Sequence, residues 1–115
     1  MTHAYKQMVV APTIDGGERE FGFEAYETLA AAGSTPYILI PDDVQNITVT
    51  AESTGTIVVY STTSPVSMVK ADTATWLAWG AGSVSTATGA TFNPVTAIYA
   101  TQSGAGASKF SVRAQ

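Results

Sequence analysis

Apolar side chains recur at every second position in short runs, and each run ends at a Gly, Pro or Asp turn. Ile47, Val49 and Ala51 fall on one side of residues 44–51, and Asn46, Thr48 and Thr50 on the other. Near the C-terminus Phe110, Val112 and Ala114 alternate with Lys109, Ser111 and Arg113. Phe21, Phe23 and Ala25 alternate with Gly22, Glu24 and Tyr26. Period two is the mark of a strand with one buried face. Such runs, with turn signals roughly every 8–12 residues, predict an all-β chain folded as an antiparallel β-sandwich, Ig-like or jelly-roll-like, of about seven to nine short strands. The near-absence of helical periodicity argues against α/β layers.

The remaining segments fit this frame. Residues 24–33 (EAYETLAAAG) contain helix formers with Gly33 placed as a C-cap, but the aromatic flank favours a strand. Residues 35–40 form an apolar run closed by Pro41-Asp42-Asp43. Ser53-Thr54-Gly55 is expected as a hairpin turn with Gly55 at positive φ, returning through residues 56–62. Strands are expected at 66–70, at 74–79 and, weakly, at 83–87, with a loop around Phe92 between Gly89 and Pro94. Residues 95–102 and 109–114 are expected as a second hairpin. Residues 1–20 differ, with Pro12, the Asp15-Gly16-Gly17 turn and one short apolar run, Met8 to Ala11. They are expected as an extended N-terminal arm, with one strand at 5–11, attached to a sandwich domain over residues 21–115.

Composition limits the chemistry. Ala, Thr, Gly and Ser supply 55 of the 115 residues, and Asp, Glu, Lys and Arg only 14. With no Cys, thiol nucleophiles, disulfides and zinc–thiolate sites are excluded. His3, the one histidine, lies in the arm, where neither a partner nor a fixed position is expected for it. Asp42-Asp43 lacks the alternating acids of a calcium loop. Glu24 and Glu27, three apart on a strand, point to opposite faces. Asn46-Ile47-Thr48 matches a glycosylation acceptor, but no signal-peptide pattern accompanies it. No apolar run approaches the roughly 20 residues of a membrane span. These readings predict no catalytic residues, no metal, no cofactor and no membrane.

Charge is uneven. Residues 1–52 hold eight acids against Lys6 and Arg19, and residues 53–115 hold Asp72 against Lys70, Lys109 and Arg113. An acidic chain is a poor nucleic-acid binder, but it suits docking on a basic surface or head-to-tail contact between copies. Trp76 and Trp79 have an odd spacing, so a strand would place them on opposite faces, one of them free to meet a neighbour.

Over about residues 44–115 the cadence is distinctive. Val58-Val59-Tyr60 precedes residues 75–82 (TWLAWGAG), then 92–100 (FNPVTAIYA), then a Gly/Ala/Ser turn into 110–114 (FSVRA). This resembles the small β-sandwich virion proteins of tailed bacteriophages, which serve as head decoration or cement proteins and as small tail or fibre modules. The resemblance implies assembly in many copies, no enzymatic activity, and a place in the virion after synthesis in the host cytoplasm. The family pattern often carries Arg in Thr-Ala-Ile-x-Ala; this chain has Tyr99, so no contact through that arginine transfers. The expected role is a homo-oligomeric capsid decoration protein that clamps the major capsid protein or other virion subunits. Its anchors would be Tyr5, Met8, Val9 and Val10 on the arm, together with Trp76 and Trp79. The alternative is a tail or fibre module that binds a host receptor or glycan.

Overall fold

The computed structural model describes residues 3–12, 21–80, 82 and 88–115. Among these, eleven strands and one short helix form two sheets packed face to face, a β-sandwich. The first sheet runs β1 (Tyr5–Gln7), β5 (Tyr37–Leu39), β10 (Ala97–Ser103), β7 (Thr56–Thr62), β8 (Leu77–Ala78), and β4 (Gly33–Ser34) also pairs with β10. The second runs β2 (Val9–Pro12), β3 (Phe21–Leu29), β11 (Ser108–Ala114), β6 (Ile47–Ser53), β9 (Thr88–Phe92). Among the described residues only β1 and β5 pair in parallel. With β1, β2 and β4 set aside, the two sheets read 5-10-7-8 and 3-11-6-9. The chain changes sheet at every step between these strands except β7 to β8. Of the two expected sandwich types, this connectivity is that of a jelly roll.

Alternation builds the core as the sequence predicts. Ile47, Val49 and Ala51 of β6, Ile57 and Val59 of β7, and Phe110, Val112 and Ala114 of β11 are all buried in one cluster between the sheets. Residues 21–29 are strand, so the strand reading of the ambiguous segment holds as far as Leu29.

Four expectations need correction. First, the two predicted hairpins are crossings between sheets. β6 pairs with β11 and β9, and β7 pairs with β10 and β8, so Ser53-Thr54-Gly55 carries the chain from one sheet to the other. The connection from β10 to β11 does the same beside it. Gly55 is not at positive φ; it is needed because a Cβ there would lie 2.4 Å from the carbonyl oxygen of Ala105. Second, residues 66–70 form helix α1 (Val66–Lys70). The carbonyl of Pro65 accepts the N–H groups of Met68 (2.9 Å) and Val69 (3.2 Å), which starts a helical turn, and Val69 is buried against the first sheet. Third, the loop expected around Phe92 is strand β9, paired along β6. Fourth, of residues 74–79 only Leu77 and Ala78 are strand. The weak strand expected at 83–87 and the turn at 15–17 lie outside the described residues.

The N-terminal segment also departs from expectation. Residues 5–7 pair with β5 in one sheet, and residues 9–12 pair with β3 in the other. The segment read as an arm thus supplies edge strands to both sheets. Met8, at the crossover, is only 7% exposed and belongs to the main core.

Candidate interaction site

The site lies where β1 and β2 run along one open side of the sandwich. Their two edges are treated differently. Lys6 sits opposite Ile38, whose side chain is in the core, so Lys6 points towards the interior. There its ammonium pairs with Glu27 of β3 in the facing sheet. An inward-pointing charge on an edge strand resists pairing with another chain. β2 carries no charge, and Val9 and Val10 are 61% and 67% exposed. Val9 is registered with Glu24, and Tyr26, two residues on, shares that outer face and is 55% exposed. A shallow groove of about 440 Å³ is lined by Lys6, Gln7, Val9, Glu24, Ala25 and Tyr26. At the other end, the Lys70 ammonium lies 5.5 Å from the centre of the Tyr5 ring, which is 46% exposed.

Of the sequence-predicted contact residues, the structure brings Tyr5, Val9 and Val10 to this side and leaves them open. Met8 is committed to the core, so it cannot also anchor a neighbour. The tryptophans do take opposite sides. Trp79 packs on the main core beside Phe92, with ring centres 6.1 Å apart. Trp76 joins a second small core on the outer face of the first sheet, beneath α1. Both indoles are half-buried.

This second core clasps the N-terminus, and it corrects the reading of His3. The His3 ring stacks on Tyr37 with centres 4.0 Å apart, and its Nε2 lies 2.7 Å from the Thr35 carbonyl oxygen. Its backbone N–H donates to Asp72, 3.2 Å away. Tyr37 also donates its hydroxyl to Asp72, at 2.5 Å. Asp72 is in the left-handed conformation just past α1, with φ 61°. Its own N–H and that of Thr73 bond back to Val69 and Met68, the pattern that usually takes glycine. The His3 ring and the Asp72 carboxylate are not joined to each other, so the pair is no proton relay. Trp76, Tyr99 and Tyr60 continue the cluster, with Trp76 and Tyr99 centres 4.7 Å apart and Tyr60 stacked on Tyr99.

The electrostatics of the clasp give a pH prediction. Burial, with the Asp72 carboxylate beside it, pushes the Tyr37 hydroxyl well above its ordinary value of 10.0. Burial, then Tyr60 and Asp72, also raise Tyr99. The Tyr37 hydrogen bond, then the His3 N–H, lower Asp72 below 3.8. A raised tyrosine favours the protonated fold, so its contribution is whole below pH 10 and drains away above it; a lowered carboxylate contributes above the usual range and loses that as pH falls. In an absorbance titration of the phenols, two tyrosines should therefore ionise later than the rest, and Tyr37→Phe should remove one late step. Five phenols ionising together near pH 10 would contradict this.

The clasp was missed at the sequence level, although a signal was present. Residues 37–40 (YILI) are apolar at consecutive positions, which is the pattern of a strand covered on both faces. Tyr26 was legible as an aromatic on the polar side of its strand. No family model matches the chain, and no curated protein matches it.

Proposed function

We propose that the chain is a non-enzymatic structural protein of a phage virion, a capsid decoration or cement protein that clamps neighbouring subunits. The observation that carries this reading is the β2 edge, which has no charged side chain and exposes two valines. One continuous segment guards its first edge with Lys6 and leaves valines on both faces of its second. An uncharged apolar edge, limited by Pro12 only at its last residue, is suited to adding a strand from a partner, with the groove beside Tyr26 receiving a side chain. A receptor- or glycan-binding role in a tail or fibre would use the indoles as stacking platforms. Both indoles are half-buried, Trp76 against Tyr37 and Tyr99 and Trp79 against Phe92, which favours assembly over that alternative.

The test is Val9→Lys with Val10→Lys, assayed by co-sedimentation with particles that lack the protein. Burying a valine is worth about 1.5–3 kcal/mol, so losing either contact should weaken binding by about tenfold or more. The melting temperature should hardly move, because both side chains are exposed. Unchanged binding to the particle would overturn the reading.

A further inference from the structure

A second surface lies at the end of the sandwich opposite the β6–β7 and β10–β11 crossings. The segments after β5, between β7 and α1, and between β9 and β10, with Val66 of α1, line an open cleft of about 400 Å³. Ile40, Val44, Val66 and Val95 give it aliphatic walls. Asp42 and Asp43 also line it, and both are exposed. Thr63 and Thr96 add polar character.

The charge inventory singles out these two acids. Among the described residues, Glu24, Glu27 and Glu52 each face a base. Asp72 holds the Tyr37 hydroxyl and the His3 N–H. Among the described residues no hydrogen bond or ion pair engages the Asp42 or Asp43 carboxylate. The described bases are equally committed: Lys6, Lys109 and Arg113 face glutamates, and Lys70 lies over Tyr5. Two adjacent carboxylates with no partner among the described residues leave a local negative potential beside an aliphatic cleft.

We infer that this cleft receives a basic side chain of a partner protein, arginine ahead of lysine. The aliphatic stem lies along the valine walls and the charged head meets Asp42 and Asp43, the way long basic side chains divide between apolar surface and a polar terminus. A guanidinium has five donors in a fixed plane and can serve both carboxylates together, whereas an ammonium is a single point of charge. The inference goes beyond the assembly reading and stands apart from it, since the cleft would bind arginine whether or not β2 docks on a capsid.

The probe is N-acetyl-arginine amide, titrated into the isotope-labelled chain and followed through the backbone amide resonances. N-acetyl-citrulline amide, nearly the same shape without the charge, is the comparison. Saturable shifts are expected at Asp42, Asp43, Val44, Thr63 and Thr96, with arginine tighter than citrulline by about two- to fivefold, the range of a weak exposed ion pair. The preference should fade in ~1 M salt, where screening acts over about 3 Å. The Asp42→Asn/Asp43→Asn variant should lose the preference at an unchanged melting temperature, because asparagine tolerates the left-handed conformation of residue 43. Equal shifts with citrulline, shifts centred on Glu24 or Glu52 instead, or full binding by the double variant would each overturn the inference.

Discussion

Gly106→Val is expected to destabilise the fold by about 3–5 kcal/mol, read as a fall in the urea midpoint at unchanged slope. Two costs combine at this position. Its φ is +127°, a conformation that side chains with a Cβ rarely adopt. A Cβ there would also sit 2.6 Å from the Gly55 nitrogen and 2.9 Å from the Gly55 Cα. These are backbone atoms, so no rotamer change relieves the contact. The two crossings between sheets touch at this point, and hydrogen bonds hold them in register. Thr54 N–H donates to the Ala107 carbonyl at 2.9 Å, and Ala107 N–H donates to the Thr54 hydroxyl at 2.9 Å. Behind them Ser53, Gln102 and Ser108 are buried polar groups that satisfy one another. Ser108 donates to the Gln102 Oε1, the Ser53 and Ser108 hydroxyls lie 2.8 Å apart, and Gln102 Nε2 donates to the Gly106 carbonyl at 2.7 Å. Pushing Gly106 outward strains this network as well. Against a typical stability of 5–15 kcal/mol the loss would be large. Gly104→Ala is the internal comparison. Its φ is +76°, but nothing lies within 4 Å of the added atom, so only the backbone cost of about 1 kcal/mol is expected. Equal losses at the two glycines would show that packing between the crossings contributes little.

Those crossings also mark where the sequence stopped being informative. Alternation told which side of β6 and β11 faces inward, because period two is a property of the strand alone. Ser53-Thr54-Gly55 told where the chain turns. Neither could tell whether the returning strand pairs with its predecessor or enters the opposite sheet, since Ile57 and Val59 face the same core either way. The same limit applies to β1 and β2. Lys6 and Met8 fall on one side of an alternating run that ends in exposed valines, a pattern that an arm and an edge strand share. The deciding fact is the Glu27 carboxylate and the core space waiting across the sheet, both supplied by residues distant in sequence. At α1, five residues with Val66 and Val69 three apart and Val66 and Met68 two apart satisfy both periods. The Pro65 carbonyl and the open outer face of β5 decide for the helix. Of the candidate site, the exposed valines were legible and the clasp around His3 was not, because it gathers residues 3, 37, 72, 76 and 99 from separate segments.

Phe110→Ala and Met8→Ala should cost comparable amounts, about 3–5 kcal/mol and about 2–5 kcal/mol, when measured by urea unfolding of the full chain. Phe110 is the largest fully buried side chain among the described residues, placed on β11 at the centre of its sheet between Ala51 of β6 and Glu27 of β3. Its neighbours across the core are β-branched residues and alanines on strands fixed from both sides. They have little freedom to close over the space left behind, which puts the loss near the upper end for such truncations. Met8 is at the opposite extreme of position, five residues past the first described one and between two edge strands. Were residues 1–20 an arm outside the core, truncating Met8 would change stability by no more than about 0.5 kcal/mol, as surface substitutions do. With Met8 closing the gap between the sheets, its loss opens the core to water on the β1–β2 side and loosens the pairing of both strands. The ratio of the two losses therefore separates an arm from a structural strand. It also bears on assembly: a β2 strand held in place by Met8 presents Val9 and Val10 already ordered, and a partner meeting that edge has little conformational entropy left to overcome.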